Sequence, residues 1–375
     1  MHELAVPFRR SWLPSLPGRP EHRGRWAGAL LCLVALSGGC SDRKSGPRPR
    51  LGVPIPVDAV AFSPDGSTLA VVKEGTVKLY DPGTGNLRAT CQGEGVRTSC
   101  VAFSPDGAKL ATGGPDTKVR LWDAKTGQVL FVLEGHTAPV KSLAFSPDGR
   151  LLASAAGKQG QPPSRFGRAA PEPAAGAEPP KDVTELKLWE VGGRGKHLAD
   201  LNGHTGFITC VAFSPDGKTL ASTGHDKKLK LWDVAGRKDI RTVEHPGAVM
   251  SVAFAPDGRT AATACDLDVK LWDTTAWTEK ATLEQAHDDR INAVTFSPDG
   301  KLLATASTDR TAKLWDLGTR QEKAALTAHP GFVIAVSFGG NNLLATGAME
   351  GTAKLWDVPT ATEVRTLEAP PPVGP

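Results

Sequence analysis

Imidazole is the side chain best suited to metal ligation or general-base work near neutral pH, and this chain of 375 residues holds nine histidines. His204, His245, His287 and His329 recur 41 or 42 residues apart, and His136 stands further upstream in the same pattern. Metal binding or hydrolysis is therefore the first chemistry to weigh. The supporting motifs are missing: there is no Cys-x-x-Cys, His-Glu-x-x-His, Gly-x-Ser-x-Gly, Walker or Rossmann pattern. The turn aspartates lack the run of oxygen ligands that calcium needs. No cofactor and no metal is expected. Of Cys91, Cys100, Cys210 and Cys265, no pair is expected to form a disulfide: Cys100 and Cys210 hold the same strand position two repeats apart and read as small buried hydrophobes, and Cys91 and Cys100 fall on an outer and an inner strand.

The elements that position these histidines come from a repeat. Ser-Pro-Asp-Gly stands at 63–66, 104–107, 146–149, 214–217 and 297–300, and Ala-Pro-Asp-Gly at 255–258, each preceded by Phe. Pro presets φ, Asp bonds the local backbone and Gly takes a positive φ, so each copy is a tight turn. An apolar-Lys/Arg-Leu-Trp-Asp signature follows, ending at Asp123, Asp233, Asp273, Asp316 and Asp357, with Tyr80-Asp81 and Trp189-Glu190 as variants. These end points lie 42, 67, 43, 40, 43 and 41 residues apart. The 41 Gly and 30 Pro suit short strands joined by tight turns better than helices. Trp232 beside Leu231 breaks strict alternation, as a strand covered on both faces would.

The period, with its Gly-His and Trp-Asp marks, resembles the WD40 β-propeller family. The resemblance implies an all-β fold, a seven-bladed β-propeller of four-stranded antiparallel blades over 57–370. The blades fall at about 57–95, 96–136, 137–204, 205–245, 246–287, 288–329 and 330–370, with a disordered tail at 371–375. Residues 362–368 supply the last blade's outer strand, and the segment before blade one contains two prolines. Closure by face packing, without a lent strand, is therefore expected.

In that family the loop histidine joins a buried tetrad with a Ser/Thr, a turn Asp and the Trp. Carried over here, blade four supplies His204, Ser222, Asp226 and Trp232. Blade five supplies His245, Thr263, Asp266 and Trp272, its turn one residue short, and blade six His287, Thr305, Asp309 and Trp315. Blade seven has His329, Thr346 and Trp356, with Glu350 in place of Asp. Blade two keeps Thr112, Asp116 and Trp122 without a His. Blade three keeps His136, Ser154 and Trp189 without a turn Asp, and blade one has Val71 and Tyr80. Such sets look like catalytic triads, yet one repeat does not need four active sites, and a structural role satisfies buried polar groups. Weaker networks imply that blades one and two open first.

Composition narrows the partner. The first 50 residues hold nine Lys/Arg against three acidic residues, leaving 35 basic and 37 acidic side chains in the remaining 325. A body at −2 has no bulk reason to bind nucleic acid. Ahead of it, Ala27–Leu36 is a ten-residue apolar run preceded by Arg23 and Arg25 and followed by Ser37-Gly38-Gly39-Cys40. At about 15 Å it is too short to span a bilayer. It resembles a bacterial lipoprotein signal, which implies a signal peptide at 1–39, lipidated Cys40 and a flexible tether at 40–56. Ser41 implies outer-membrane sorting. Plain secretion and no export, hence a cytoplasmic protein, are the alternatives.

The Pro- and Ala-rich stretch 157–183 interrupts blade three and is expected to be an extended surface loop. Candidate partner-binding residues are Phe166 within it and Arg97, Phe207, Arg290 and Phe332 ahead of inner strands, with Pro139 and Ala248 at matching positions. The reading is a membrane-tethered, non-catalytic scaffold for a protein partner, a monomer. A propeller hydrolase with a channel-mouth site and a small-ligand or glycan binder are the alternatives. Cys40→Ser should release the protein from the membrane fraction and abolish lipid labelling; unchanged fractionation and labelling would refute the anchor.

Overall fold

The computed structural model describes residues 55–91, 98–158 and 183–367. Within them 28 strands form seven four-stranded sheets, and every strand pairs antiparallel with its chain neighbour. Blade four is typical: Ile208–Phe213 innermost, then Thr219–Gly224, Lys228–Asp233 and the outer Lys238–Glu244. Each sheet is a continuous meander, so the last blade, from Val333–Gly339 to Thr362–Leu367, borrows nothing from the described N-terminal residues. No helix among the described residues is long and apolar enough to cross a membrane.

The tight turns close the hairpins at one end of the ring. Gly66, Gly107, Gly149, Gly217, Gly258 and Gly300 all adopt φ near +70°, which penalises any other residue. In five of the six turns the Ser hydroxyl donates to the Asp carboxylate at 2.5–2.6 Å. These bonds hold the carboxylates low, Asp65 at about 2. Blade five's Ala255 has no hydroxyl to give.

There is no central core. Buried apolar residues divide into seven clusters, one at each seam between blades. Each cluster contains the third-strand aromatic packed on the preceding blade. Trp232 lies on Leu186 and Leu188, Trp272 on Leu229 and Leu231, and Tyr80 on Leu355 of blade seven. The six signature tryptophans are at most 7% exposed. Burying 150–250 Å² each, they contribute on the order of 4–6 kcal/mol apiece as an upper bound. A net hydrogen bond adds about 1 kcal/mol, so apolar contact dominates each seam.

Hydrogen bonds between inner strands then fix the register of the seams, in two alternating forms. Even-numbered blades donate a side chain to the next blade's carbonyl: Ser99 to Val140 (3.1 Å), Thr209 to Val249 (2.6 Å) and Asn292 to Val333 (2.9 Å). Blades three, five and seven instead accept the next blade's backbone N–H on a Ser hydroxyl: Ser142 from Val211, Ser251 from Val294, and Ser337 from Phe62. The Phe62–Ser337 bond closes the ring, with Arg365 donating to the Thr84 carbonyl at 2.7 Å.

The blade-three interruption departs from expectation at its edges. Gly157, Lys158 and Val183 are strand residues, because the hairpin runs on with Gly157 opposite Thr184 and Lys158 opposite Val183. A glycine is required at 157, where any Cβ would meet Phe207 of blade four. Cys40, Arg97 and Phe166 lie outside the described residues.

Candidate functional site

The histidine clusters form where the loop entering a blade meets the turn between its second and third strands. In blade four, Trp232 Nε1 donates to Ser222 Oγ at 2.8 Å, and Ser222 meets His204 Nε2 at 2.8 Å. His204 Nδ1 faces Asp226 Oδ2 at 2.8 Å. The indole can only donate and the carboxylate can only accept. The chain of bonds is therefore consistent in one direction: Ser222 donates to Nε2, and Nδ1–H donates to Asp226. Blade six repeats this with Trp315, Thr305, His287 and Asp309. In blade seven Glu350 takes the acid's place at 2.7 Å from His329, and Gly331 leaves the space its longer side chain fills.

Two blades correct the sequence reading. Blade three does have an acid: Glu185 Oε2 lies 2.6 Å from His136 Nδ1 and also binds the Thr137 N–H. It sits four residues before Trp189, where Thr311 and Thr352 of blades six and seven also approach their histidines at 3.2 Å. Residues 185, 187 and 189 share one face of a strand, and that alternation is the signal that could have found it.

Blade five, by contrast, lacks its acid. His245 keeps Thr263 at 3.0 Å, and Thr263 keeps Trp272. Nδ1 of His245 is buried without a partner. In the longer turns the residue after the acid takes positive φ, as Lys227 and Arg310 do. The shortened turn puts that conformation on Asp266 itself (φ 52°), and its carboxylate packs against Gly247. In blade two, Asp116 turns to Arg120 at 2.6 Å, leaving a Trp122–Thr112 pair.

The hydroxyl–imidazole–carboxylate geometry is that of a hydrolytic triad, but the chemistry is closed off. Ser154, Ser222, Thr263, Thr305 and Thr346 have no exposed surface, and each hydroxyl accepts an indole N–H. A nucleophile needs an open approach to its oxygen. Burial also lowers the pKa of His136 and His287 despite their acidic partners, while Glu185 and Asp309 are held below the usual carboxylate range; imidazole is neutral and carboxylate ionised in both pairs. No group of three or more His, Cys, Asp or Glu that could hold a metal occurs among the described residues. Cys91, Cys100, Cys210 and Cys265 are free thiols, and burial pushes Cys100 up to about 12.

Over these clusters lies the loop face. Phe332 is 44% exposed, and its carbonyl accepts the N–H of Met349, itself 45% exposed. Ile55, also exposed, brings its carbonyl against Gly351 of the same turn. Arg290 is exposed as well. Phe207 is different: it stacks on His225 with ring centroids 3.8 Å apart and covers Gly157, so local packing accounts for it. Pro139 and Ala248 are half-buried. Sequence reasoning missed Ile55 and Met349, because one precedes the first strand and the other lies in a turn, where no periodicity applies.

Burial drives the His245 imidazole from 6.5 down to about 4. As pH falls from 6.5 toward 4 the unfolded chain takes up a proton that the folded ring refuses, so stability is full above this range and declines through it. His245→Leu should remove that share of the slope in melting curves taken across the range. At neutral pH it should cost less than about 1 kcal/mol, since the lost ring had an unmet nitrogen. His287→Leu should cost about 2 kcal/mol, because it removes the N–H that Asp309 accepts and leaves the buried Thr305 hydroxyl without its acceptor. Equal losses at both positions would contradict this account.

The sequence model of the IFT122 first beta-propeller family matches residues 182–371, and that of the WD domain, G-beta repeat, matches 54–81, 85–123 and 127–160. The nuclear distribution protein PAC1 of Arthroderma otae is 30% identical over 175 residues, covering 40% of this chain and 37% of its own length. The guanine nucleotide-binding protein subunit beta of Zea mays is 28% identical, covering 35% of this chain and 37% of its own. The small ribosomal subunit protein RACK1 of Drosophila melanogaster is 30% identical, covering 35% and 44%. The chain thus spans less than half the length of the curated relatives it matches. With seven closed blades and these matches along most of the ring, the chain belongs to the WD40-repeat β-propeller family.

Proposed function

We propose that this protein is a non-catalytic interaction scaffold whose loop face, centred on blade seven, holds a protein partner. The observation that carries this is the exposed group Ile55, Phe332 and Met349 around one turn. Their hydrogen-bonded backbone needs no ordering on docking, and Phe and Met are among the side chains enriched at interfaces. The hydroxyls of the polar clusters beneath are buried and bonded to indole and imidazole, so these clusters fix the face rather than react on it. The likeness to PAC1, the G-protein beta subunit and RACK1 supports a binding role in kind, not in partner.

The leader reading places this disc at a bacterial envelope, tethered through a lipid on Cys40. Affinity capture from envelope extract, comparing wild type with the Phe332→Ala/Met349→Ala double variant and with deletion of 159–182, tests the assignment. Loss of about tenfold or more of a recovered partner in the double variant is expected. Undiminished recovery would move the site elsewhere, and turnover of an ester or peptide panel by the purified protein would overturn the scaffold reading.

A further inference from the structure

The outer strand of each blade is an edge, with backbone groups free to pair with another strand. Edge strands are normally protected by charge, and six of these seven follow that rule. Their sequences are LRATC, KHLAD, KDIRTVE, TEKATL, QEKAAL and TEVRTL. Blade two is the exception: Val129–Leu133 reads VLFVL, with no charge at all. Val129, Leu130 and Val132 are 45%, 46% and 39% exposed. Phe131 and Leu133 lean on Gly195 of blade three, where a Cβ would collide with both. The strand is thus held firmly by its neighbour while its remaining apolar side chains face water.

The charges stand only at its ends. Lys125 is exposed in the turn before the strand. Glu134 follows it, two-thirds exposed and ion-paired with Lys118, itself 43% exposed. No charged residue intervenes between 125 and 134. The strand is therefore apolar throughout, with an Asp123/Lys125 turn before it and the Lys118–Glu134 pair after it. Antiparallel pairing of two copies matches Leu130 with Val132 twice and Phe131 with itself, because VLFVL is nearly symmetric about Phe131.

We propose that the rim of blade two is a self-association site. Two copies join Val129–Leu133 edge to edge and antiparallel about a two-fold axis, making one eight-stranded sheet from two blades. The arrangement is isologous, so it closes as a dimer rather than growing a fibre. A contact this small gives a weak dimer, with Kd on the order of 10 µM or above.

Sedimentation of the full chain over a concentration series tests this, with melting curves to verify that each variant is folded. The wild type should pass from monomer to dimer. Leu130→Lys, at an exposed position, should weaken association about tenfold or more, since each dimer gains two lysines at the shared edge. Should the protein stay monomeric throughout, associate equally well as Leu130→Lys, or form open-ended assemblies, the rim assignment is wrong.

Discussion

One contact governs this molecule: the third-strand aromatic of each blade laid against the blade before it. Its area makes it the largest single stabilising term at a seam, but its indole N–H is a donor that has left water. That N–H must be met inside, and the hydroxyl on the second strand meets it in all six tryptophan blades. The hydroxyl's own proton then needs an acceptor. Histidine supplies one, and in doing so it pins the incoming loop to the blade. The tetrad is thus a consequence of burying tryptophan, extended outward one bond at a time until a largely buried carboxylate ends it. Where the ring uses Tyr80 instead, Val71 stands in place of the hydroxyl, so the indole-to-hydroxyl bond has no counterpart in blade one.

What was legible in the sequence follows from this order of causes. Turns, strands and Trp positions repeat because every blade needs them, so the repeat carries the family resemblance that implies the fold, while the strand at 362–368 and the prolines before blade one point to closure without a lent strand. The outer end of each network is less constrained, since any carboxylate that reaches Nδ1 will serve. Blade three therefore uses Glu185 from the strand, and blade seven uses Glu350 from the turn. Blade five kept an Asp in the sequence but lost it in space, because one fewer residue moved the positive φ onto Asp266. Motif matching sees residue type; it does not see which residue of a turn must adopt the left-handed conformation.

The same logic separates candidate binding residues. Phe207 occupies a position that looks identical to Phe332 in the sequence. Its neighbours differ: His225 offers a ring to stack on and Gly157 leaves a vacancy beneath it, so Phe207 is consumed by packing. Phe332 has the backbone of Met349 beside it instead, and stays in water. Exposure on the loop face depends on what each neighbouring blade happens to supply, which is why blade seven, and not the insertion-bearing blade three, carries the described apolar group.

The loop face and the rim are geometrically independent, and this matters for what a pair of rings could do. Outer strands run from the tight-turn end of the disc toward the loop end. An antiparallel join at the rim therefore turns the second disc over, so the two loop faces look in opposite directions. Neither face is covered by the join, and each keeps its own Phe332 and Met349. A pair built this way cannot concentrate two sites on one partner molecule, but it can hold two partners on opposite sides. Avidity would then appear only toward partners that are themselves linked across that span. A ring tuned for bridging in this manner gains from a weak rim contact, because reversible pairing lets single discs dock first and assemble afterwards.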